Sequence, residues 1–366
     1  MTDKLRKVAV LGTQGVPASY GGFETLVENI IGENCPENVQ YTVFCSSKDM
    51  KDRPLAYKGA VLKYVPLHAN GMQSIPYDIL SMMRVMRGYD VILVLGVSGC
   101  LFLPVFRLFC RKKLIVNIDG LEHRRAKWGG LARWVLRSSE AMAVRYADVV
   151  VSDNKGIQDY VTETYHKPSV LIAYGGDHVF RDLTDGFRDS CLASYGLEAG
   201  KYAVTVCRIE PENNCHVTLE AFARSGHKLV FVGNWDNSEY GRELKERYSK
   251  CGNIVILDAI YDLDILYALR ANAGMYVHGH SAGGTNPSLV EAMFFGRPIV
   301  AYDVVYNRET THNKAFYFSD VDSLCEILSG KDLPVERFAE SGAALRSIAR
   351  EFYTWRHISE QYCALY

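Results

Sequence analysis

The sequence predicts an α/β protein built from two doubly wound, Rossmann-like domains. At 366 residues, the chain exceeds one ordinary hydrophobic core, and it suits two domains of about 150–200 residues each. Short runs of apolar, β-branched residues alternate along it with stretches of helical periodicity. Because these runs are apolar on both faces, they indicate parallel strands that helices cover on both sides of a sheet.

The alternation occurs in two rounds, and each round predicts one domain. The strand segments of the first round are KVAVLG, YTVFCSS, AVLKYVPL, DVILVLG, KLIVNIDG, ADVVVSD and SVLIAYGG. Those of the second are YAVTVCRI, KLVFVGN, NIVILDA, AGMYVHGH and RPIVAYD. Strand patterning lapses between residues 173 and 196, which places the joint there. We therefore expect a first domain over 1–175, a second over 176–350 and a closing helix over 351–366.

Composition indicates a globular protein of a reducing compartment. The net charge of −1 argues against a nucleic-acid partner, since such binders carry a basic excess. None of the ten cysteines has Cys-x-x-Cys spacing, so we expect buried thiols rather than a metal or redox site. The first apolar segment is too short for a signal sequence, and Pro104 interrupts the longest apolar run, residues 91–106. We therefore expect a cytoplasmic protein.

The first strand leads through a glycine-bearing loop into a helix, an arrangement that many folds use to bind phosphate. Gly12 and Gly15 begin like a dinucleotide fingerprint, but its third glycine and its acidic residue are missing, and the ATP P-loop pattern is missing too. Gly21 and Gly22 lie at the mouth of the helix, where they allow an anion to approach the backbone. A tight turn without a ligand explains this pair equally well.

A second strand–loop–helix unit, over residues 277–303, strengthens the ligand interpretation. Its loop is small and polar and ends on a proline suited to a first helical turn; the residues are Gly283, Gly284, Thr285, Asn286 and Pro287. Ser288 and Glu291 then lie one turn apart on the same helix face. A carboxylate there can accept two hydrogen bonds from a ribose, while the helix start meets phosphate. The alternative for Glu291 is an ordinary solvated helix residue.

Four motifs, in this order, resemble the retaining glycosyltransferases of family 4, and more closely their bacterial rhamnosyltransferase branch in capsule and cell-wall polysaccharide synthesis. The motifs are GVPASYGGFETLVE, GLEHRRAKW, RIEPENN and GTNPSLVEAM. The resemblance implies the GT-B architecture, in which two Rossmann-like domains face each other across a cleft and the last helix crosses back to the first domain. It also implies that the second domain holds a nucleotide-sugar donor and the first a lipid-linked saccharide acceptor.

The resemblance assigns roles to individual residues. Arg208 would neutralise the donor diphosphate as the bond to the anomeric carbon breaks, Glu291 would bind the nucleotide ribose, and Asp119 would lie near sugar and acceptor. These three form the predicted catalytic set. The other predicted donor-binding residues are Gly21, Gly22, Gly284, Thr285, Asn286, Ser288 and Leu289. The predicted acceptor-binding residues are Glu122, His123 and Arg124.

Two positions depart from the family pattern. Gly283 stands where the family has the first glutamate of Glu-x7-Glu, and Asn213 stands where a lysine usually follows the arginine. The chain thus lacks one anion and one cation near the donor, which predicts an altered sugar pocket. Such a pocket fits a 6-deoxy sugar, such as the L-rhamnose of dTDP-L-rhamnose. Two other functions stay open: an NDP-sugar epimerase of similar two-domain shape, and a catalytically silent nucleotide-sugar-binding protein.

We expect no metal and no other cofactor. Asp262 and Asp264 form an Asp-x-Asp sequence, the metal-binding signature of another glycosyltransferase fold. Because they precede a helical segment, a role in capping that helix explains them better. His278 and His280 alternate in a strand without a third ligand nearby in sequence, so they do not indicate a metal site.

A basic stretch over residues 107–145 contains ten Lys or Arg against three acids. Phe109, Trp128 and Trp134 lie within it, and Phe106 lies beside it. A solvated face is one explanation. The explanation we adopt is a surface that rests on anionic lipid or binds a pyrophosphate-linked acceptor. We therefore expect peripheral contact with the inner face of the plasma membrane.

Overall fold

The structure, a computed structural model, describes residues 5–18, 21–32, 35–121, 123, 129–330 and 335–366. Its contacts divide the chain into two compact units, Met1–Tyr174 with Trp355–Tyr366, and Gly175–Thr354. Each unit is built on one largely parallel sheet, which confirms the predicted fold class. The sequence analysis expected the second domain to cover residues 176–350. In the structure the second unit covers Gly175–Thr354.

The first unit contains an eight-stranded sheet. Its strands are β1 (Arg6–Leu11), β2 (Val39–Ser46), β3 (Ala56–Tyr57), β4 (Ala60–Val65), β5 (Val91–Leu95), β6 (Lys113–Asn117), β7 (Val149–Ser152) and β8 (Val170–Leu171). They lie in the order β3-β4-β2-β1-β5-β6-β7-β8, and only the edge pair β3–β4 is antiparallel. The central strand β1 is fully buried from Val8 to Leu11, because helices cover both faces of the sheet.

The helices between these strands are α1 (Gly22–Ile30), α2 (Ser74–Arg84), α3 (Leu103–Phe109), α4 (Gly130–Tyr146) and α5 (Lys155–Tyr165). Parallel strands are joined by right-handed crossovers, so the direction of each step across the sheet decides which face its helix covers. The steps β5–α3–β6 and β6–α4–β7 run in one direction, and the step β1–α1–β2 runs in the other. Helices α3 and α4 therefore share one face of the sheet, and α1 lies on the opposite face.

The second unit contains a six-stranded parallel sheet in which strand order again differs from chain order. Its strands are β9 (Ala203–Val206), β10 (Leu229–Val232), β11 (Ile254–Leu257), β12 (Met275–His278), β13 (Ile299–Tyr302) and β14 (Phe316–Phe318). They lie in the order β11-β10-β9-β12-β13-β14. Its helices are α6 (Asp185–Ser194), α7 (Cys215–Ser225), α8 (Glu239–Tyr248), α9 (Leu263–Ala271), α10 (Pro287–Phe294), α11 (Val305–Thr310), α12 (Val321–Ser329) and α13 (Val335–Phe352).

The last helix, α14 (Trp355–Ala364), belongs to the first unit although α13 belongs to the second. It packs against α1, and Trp355, Ile358 and Tyr362 join the buried core of the first unit. The predicted closing helix over 351–366 thus corresponds to the end of α13 and to α14, with two non-helical residues between them.

All ten cysteines lie among the described residues as free thiols, five of them buried and five partly buried. The sequence analysis expected buried thiols, and five of the ten meet that expectation in full. In the described part of the chain, every helix is too short or too polar to span a membrane.

Candidate functional site

Each sheet reverses its strand order at one point, and several of the predicted site residues follow the strands that meet there. In the first unit the chain moves from β1 to β2 on one side, and β5 then lies on the other side of β1. In the second unit β9 leads to β10, and β12 then lies on the other side of β9. In open α/β sheets, ligands bind beyond the carboxyl ends of the strands at such a reversal. Arg208 follows β9, and residues 279–286 follow β12.

In the first unit, the buried carboxylate of Glu24 holds the loop that follows β1. Its Oε1 accepts hydrogen bonds from Thr13 Oγ1 at 2.8 Å and from the backbone N–H of Gln14 at 2.7 Å. Burial raises the pKa of Glu24, and these two hydrogen bonds oppose that shift. Gly21 has a φ of 119°, and a Cβ there would overlap Glu24 Oε2. A glycine at position 21 is therefore what allows Glu24 to reach the loop.

The sequence analysis assigned the ligand contact of this loop to Gly21 and Gly22 and did not select Glu24. Gly22 is the first residue of α1. A sequence signal for Glu24 was present, because a carboxylate in a first helical turn interacts favourably with the helix dipole. Its burial and its contact with Thr13, however, depend on the tertiary structure.

Asp119 lies two residues beyond β6 in the left-handed conformation, with φ of 60°. Its backbone N–H donates to Asn117 Oδ1 at 3.0 Å, and Asn117 Nδ2 donates to the Tyr362 hydroxyl of α14 at 2.8 Å. Asn117 and Tyr362 are buried, so the last helix of the chain supports the turn that presents Asp119. The Asp119 charge adds to burial in raising the pKa of Glu24, which indicates that the two carboxyl groups lie near each other.

Of the predicted acceptor-binding residues, only His123 falls among the described residues, while Glu122 and Arg124 lie outside them. His123 Nδ1 lies 3.1 Å from Glu140 Oε2 of α4. The other oxygen of Glu140 accepts hydrogen bonds from the hydroxyls of two α5 tyrosines. Glu140 is buried. Its hydrogen bonds therefore connect His123 to α4 and α5.

In the second unit, Glu291 of α10 is held as an anion. Its Oε2 lies 2.6 Å from Nη1 of Arg270, a buried arginine of α9, and its Oε1 lies 3.5 Å from His178 Nε2. Burial raises the pKa of Glu291, but the Arg270 charge and the hydrogen bond from His178 outweigh it and bring the pKa to about 2. Glu291 therefore stays ionised at neutral pH and accepts hydrogen bonds. The sequence analysis selected Glu291 but neither of these partners.

The loop before α10 forms the helix cap. Asn286 Oδ1 accepts hydrogen bonds from the backbone N–H of Ser288 at 3.0 Å and from Ser288 Oγ at 2.8 Å. The backbone N–H of Leu289 donates to the Asn286 carbonyl at 3.0 Å, and Pro287 occupies the first turn, as predicted. A phosphate at this helix start would therefore compete with the cap for the same N–H groups. Two loop residues precede the cap. Gly284 has a φ of 91°, and the side chain of Thr285 is buried.

Arg208 lies on a loop that Asn213 and His280 hold in place. The Arg208 side chain is 42% exposed, with its Nε 3.7 Å from Glu210 Oε2. Asn213 Nδ2 donates to the Arg208 carbonyl at 2.7 Å, and Asn213 Oδ1 lies 2.6 Å from His280 Nδ1. Because that oxygen can only accept, His280 Nδ1 carries the proton. Asn213, the residue in place of the family lysine, thus joins the loop after β9 to the loop after β12.

The sequence analysis rejected two aspartates, Asp262 and Asp264, and two histidines, His278 and His280, as metal ligands. The structure shows which groups lie next to them. Asp262 accepts hydrogen bonds from the backbone N–H groups of Asp264 and Ile265 at the start of α9, which confirms the capping interpretation for Asp262. Asp264 does not precede the helix but lies in its first turn. His278 is buried, and burial lowers its pKa well below the usual range. Its ring centroid lies 6.1 Å from that of His280, whose Nδ1 is bonded to Asn213.

Comparisons with known proteins agree with this arrangement. Residues 5–177 match the family model described as Domain of unknown function (DUF1972), and residues 193–323 match Glycosyl transferases group 1. The chain resembles sucrose-phosphate synthase from Thermosynechococcus elongatus, with a TM-score of 0.82, 16% identity, and coverage of 99% of this chain and 98% of that one. It also resembles HepE from Anabaena in complex with UDP-glucose, with a TM-score of 0.76, 14% identity and coverage of 98% of each chain. No curated protein matches the sequence.

The fold is GT-B. The group 1 match includes Arg208 and Glu291 of the second unit, and the other match includes Gly21, Glu24 and Asp119 of the first. Together, the two family models and the structural neighbours support a GT-B glycosyltransferase.

Acid should destabilise the second unit through Glu291. Its folded pKa of about 2 lies below the ordinary 4.5, so its contribution to stability, about 3 kcal/mol, is complete above about pH 4.5 and is lost as the pH falls towards about 2. We expect Glu291→Gln to flatten the decline of the urea midpoint between about pH 5 and pH 3. The matched control is Glu326→Gln, at an exposed glutamate of α12. Equal declines in wild type and Glu291→Gln would contradict the stabilising role of the ion pair.

Proposed function

We propose that the protein is a retaining glycosyltransferase, similar to family 4, that moves a sugar from a nucleotide-diphosphate donor to a saccharide acceptor. The observation that carries this proposal is the meeting of the Arg208 loop and the loop before Glu291 at the strand reversal of the second sheet. A guanidinium suits a diphosphate, and a carboxylate that stays ionised suits the two hydroxyls of a ribose. The complex of the similar HepE structure with UDP-glucose supports a donor of this class.

In this proposal, Arg208 stabilises the negative charge that develops on the leaving diphosphate as the bond to the anomeric carbon breaks. The acceptor hydroxyl attacks from the same face of the sugar and passes its proton to the leaving phosphate oxygen. Asn213 and His280 act through the backbone of Arg208, because they hold its loop in position. The positive charge of Arg208 takes the role that a metal ion has in other transferases, so we propose transfer without a metal cofactor.

In this proposal, Asp119 and Glu24 have roles within the first unit. Asp119 is held near the carboxyl end of β6 by Asn117, where its carboxylate can accept a hydrogen bond from a sugar or acceptor hydroxyl. Glu24 shapes the loop in which Gly21 and Gly22 leave backbone accessible to a diphosphate. An alternative role for Asp119 is that of a covalent nucleophile, and Asp119→Asn kinetics would separate the two roles.

For the donor we propose dTDP-L-rhamnose, and for the acceptor a lipid-linked saccharide of bacterial surface polysaccharide synthesis. Support for the donor comes from Asn213, which contacts His280 and stands where the family has a lysine, and from Gly283, where the family has a glutamate. A sugar without a C6 hydroxyl needs fewer polar partners than glucose or mannose. A pocket that lacks two charged groups is consistent with such a sugar.

A donor comparison tests both the activity and the sugar. Thermal unfolding is measured with dTDP-L-rhamnose, UDP-glucose or GDP-mannose, because stabilisation grows with ligand concentration over its dissociation constant. We expect the largest rise in Tm with dTDP-L-rhamnose, and slow release of dTDP that persists in EDTA. Preference for either other donor would contradict the rhamnose assignment. Stabilisation without any turnover would indicate a silent binding protein, and loss of turnover in EDTA would contradict metal-independent transfer.

A further inference from the structure

Helices α3 and α4 present an apolar surface that the proposed transfer reaction does not use. Six large apolar side chains on or beside them are exposed: Leu101 by 40%, Val105 by 46%, Leu108 by 77%, Phe109 by 71%, Leu131 by 78% and Trp134 by 66%. We call this set the α3–α4 face. Single exposed apolar residues are common on soluble proteins, but a group on two neighbouring helices marks an interaction surface.

The two helices form one surface because they run side by side. Ser139 Oγ of α4 accepts a hydrogen bond from the backbone N–H of Leu101 at 3.0 Å. At the other end, Arg107 Nε of α3 donates to the Tyr146 carbonyl of α4 at 2.9 Å. The crossovers β5–α3–β6 and β6–α4–β7 run in the same direction across the sheet, so α3 and α4 cover the same face of it. Their solvent-exposed sides therefore lie on the same side of the unit.

The segments that carry the α3–α4 face also carry positive charge. Their exposed basic residues are Arg111, Lys112, Lys113, Arg133, Arg137 and Arg145. Within residues 97–113 and 129–146 the sequence has a single acid, Glu140, and it is buried. Just beyond α4, Asp148 pairs with Arg107 at 2.7 Å. These two segments therefore add exposed cations and no exposed carboxylate to the surface.

The structure refines which aromatic residues belong to this surface. Phe109 and Trp134 are exposed, as the sequence analysis expected for the basic stretch. Phe106 is instead fully buried, because it shares the inner side of α3 with Leu103, one turn earlier. Trp128 lies outside the described residues.

We propose that the α3–α4 face docks the protein onto an anionic lipid surface. Bulky apolar side chains enter the boundary between headgroups and acyl chains, while the surrounding Lys and Arg are attracted to anionic lipid. Charge complementarity favours this partner over a second copy of the chain, since two such faces would bring like charges together. The inference does not depend on the proposed transferase activity, because docking is measured without donor or acceptor.

Vesicle flotation tests the proposal on the full chain. Vesicles of phosphatidylcholine alone are compared with vesicles of equal parts phosphatidylcholine and phosphatidylglycerol, at low and at physiological ionic strength. We expect binding to the anionic vesicles, weak binding to the neutral ones, and weakening by salt. Leu108→Ser combined with Phe109→Ser should reduce binding by at least about tenfold. Arg111→Ser combined with Lys112→Ser should reduce it by about 25-fold, or about fivefold for each charge removed.

The matched control is Leu55→Ser combined with Lys51→Ser, at exposed residues of the same unit next to the edge strand β3. It removes one exposed apolar and one basic residue away from the α3–α4 face, and we expect unchanged vesicle binding. Equal binding to neutral and anionic vesicles, or undiminished binding by both α3–α4 variants, would overturn the proposal. Self-association that these variants abolish, without vesicle binding, would assign the face to a second copy and would also overturn it.

Tryptophan fluorescence locates the bound face. Trp134 is 66% exposed, whereas Trp235 and Trp355 are buried. Because the chain has a fourth tryptophan, Trp128, the measurement is made with Trp128→Phe in every protein compared. In that background we expect vesicles to shift the emission to shorter wavelength, and Trp134→Phe to remove most of that shift while the protein still binds. A shift that persists in full in Trp134→Phe would contradict docking through the α3–α4 face.

Discussion

Replacing Arg208 with alanine should lower kcat for sugar transfer by about 10²–10³-fold, the usual effect of removing one group that stabilises transition-state charge. The fold should be little affected, because the side chain is 42% exposed and its ionic contact with Glu210 spans 3.7 Å. Asn213 bonds to the Arg208 carbonyl rather than to its side chain, so the loop should keep its position. Steady-state kinetics with the preferred donor, together with the urea midpoint, would check both expectations.

The comparison variant is Arg337→Ala, at an exposed arginine of α13 in the same unit. This variant also removes one positive charge, but from a helix and not from the loops after β9 and β12. We therefore expect unchanged kcat and KM. If Arg208→Ala raised KM alone and left kcat intact, Arg208 would bind the donor without stabilising the transition state. That result would contradict its assignment to the leaving diphosphate.

Replacing Gly21 with valine should lower transfer by at least about 100-fold, since small displacements of positioning groups have effects of that size. A side chain at this φ of 119° would overlap the Glu24 carboxylate, which holds Thr13 and Gln14 of the loop. The loop is in the first unit, so nucleotide binding by the second unit should survive. Transfer rates and the rise in Tm on adding nucleotide would separate the two effects.

Gly59→Val supplies the control for backbone strain. Gly59 also belongs to the first unit and has a φ of 81°, but a Cβ there meets nothing within 4 Å. The variant should lose about 1–3 kcal/mol of stability through the positive φ and keep normal transfer at permissive temperature. Equal loss of transfer in Gly59→Val and Gly21→Val would show that general destabilisation, and not the Glu24 loop, explains the effect.

Most of the fold could be predicted because its central strands carry a strong local signal. In β5 all five residues are buried, and the segment is apolar throughout, as a strand between two layers of helices must be. Two strands escaped prediction, β3 (Ala56–Tyr57) and β14 (Phe316–Phe318). Both lie at sheet edges and have two or three residues, too few for a periodic pattern.

The candidate site divides in the same way between local and distant contacts. The glycine loops, Arg208 and Glu291 lie within short motifs, and the cap that Asn286 makes for α10 involves neighbours in sequence. The groups that hold these residues come from far along the chain. Arg270 lies 21 positions from Glu291, and His280 lies 67 positions from Asn213. Propensity and spacing give no information about such pairs.

The amino-acid sequence by itself determined that each of the two domains has a largely parallel sheet covered by helices. It also determined where the glycine-bearing loops lie and that the segment around α3 and α4 is basic. Only the tertiary structure decided that Glu24 turns back onto its loop, that Arg270 keeps Glu291 ionised, and that Phe106 is buried while Leu108 is exposed. The physical reason is that strand periodicity and glycine content are local properties of the chain. Burial, ion pairing and a continuous surface arise only after distant segments have packed together.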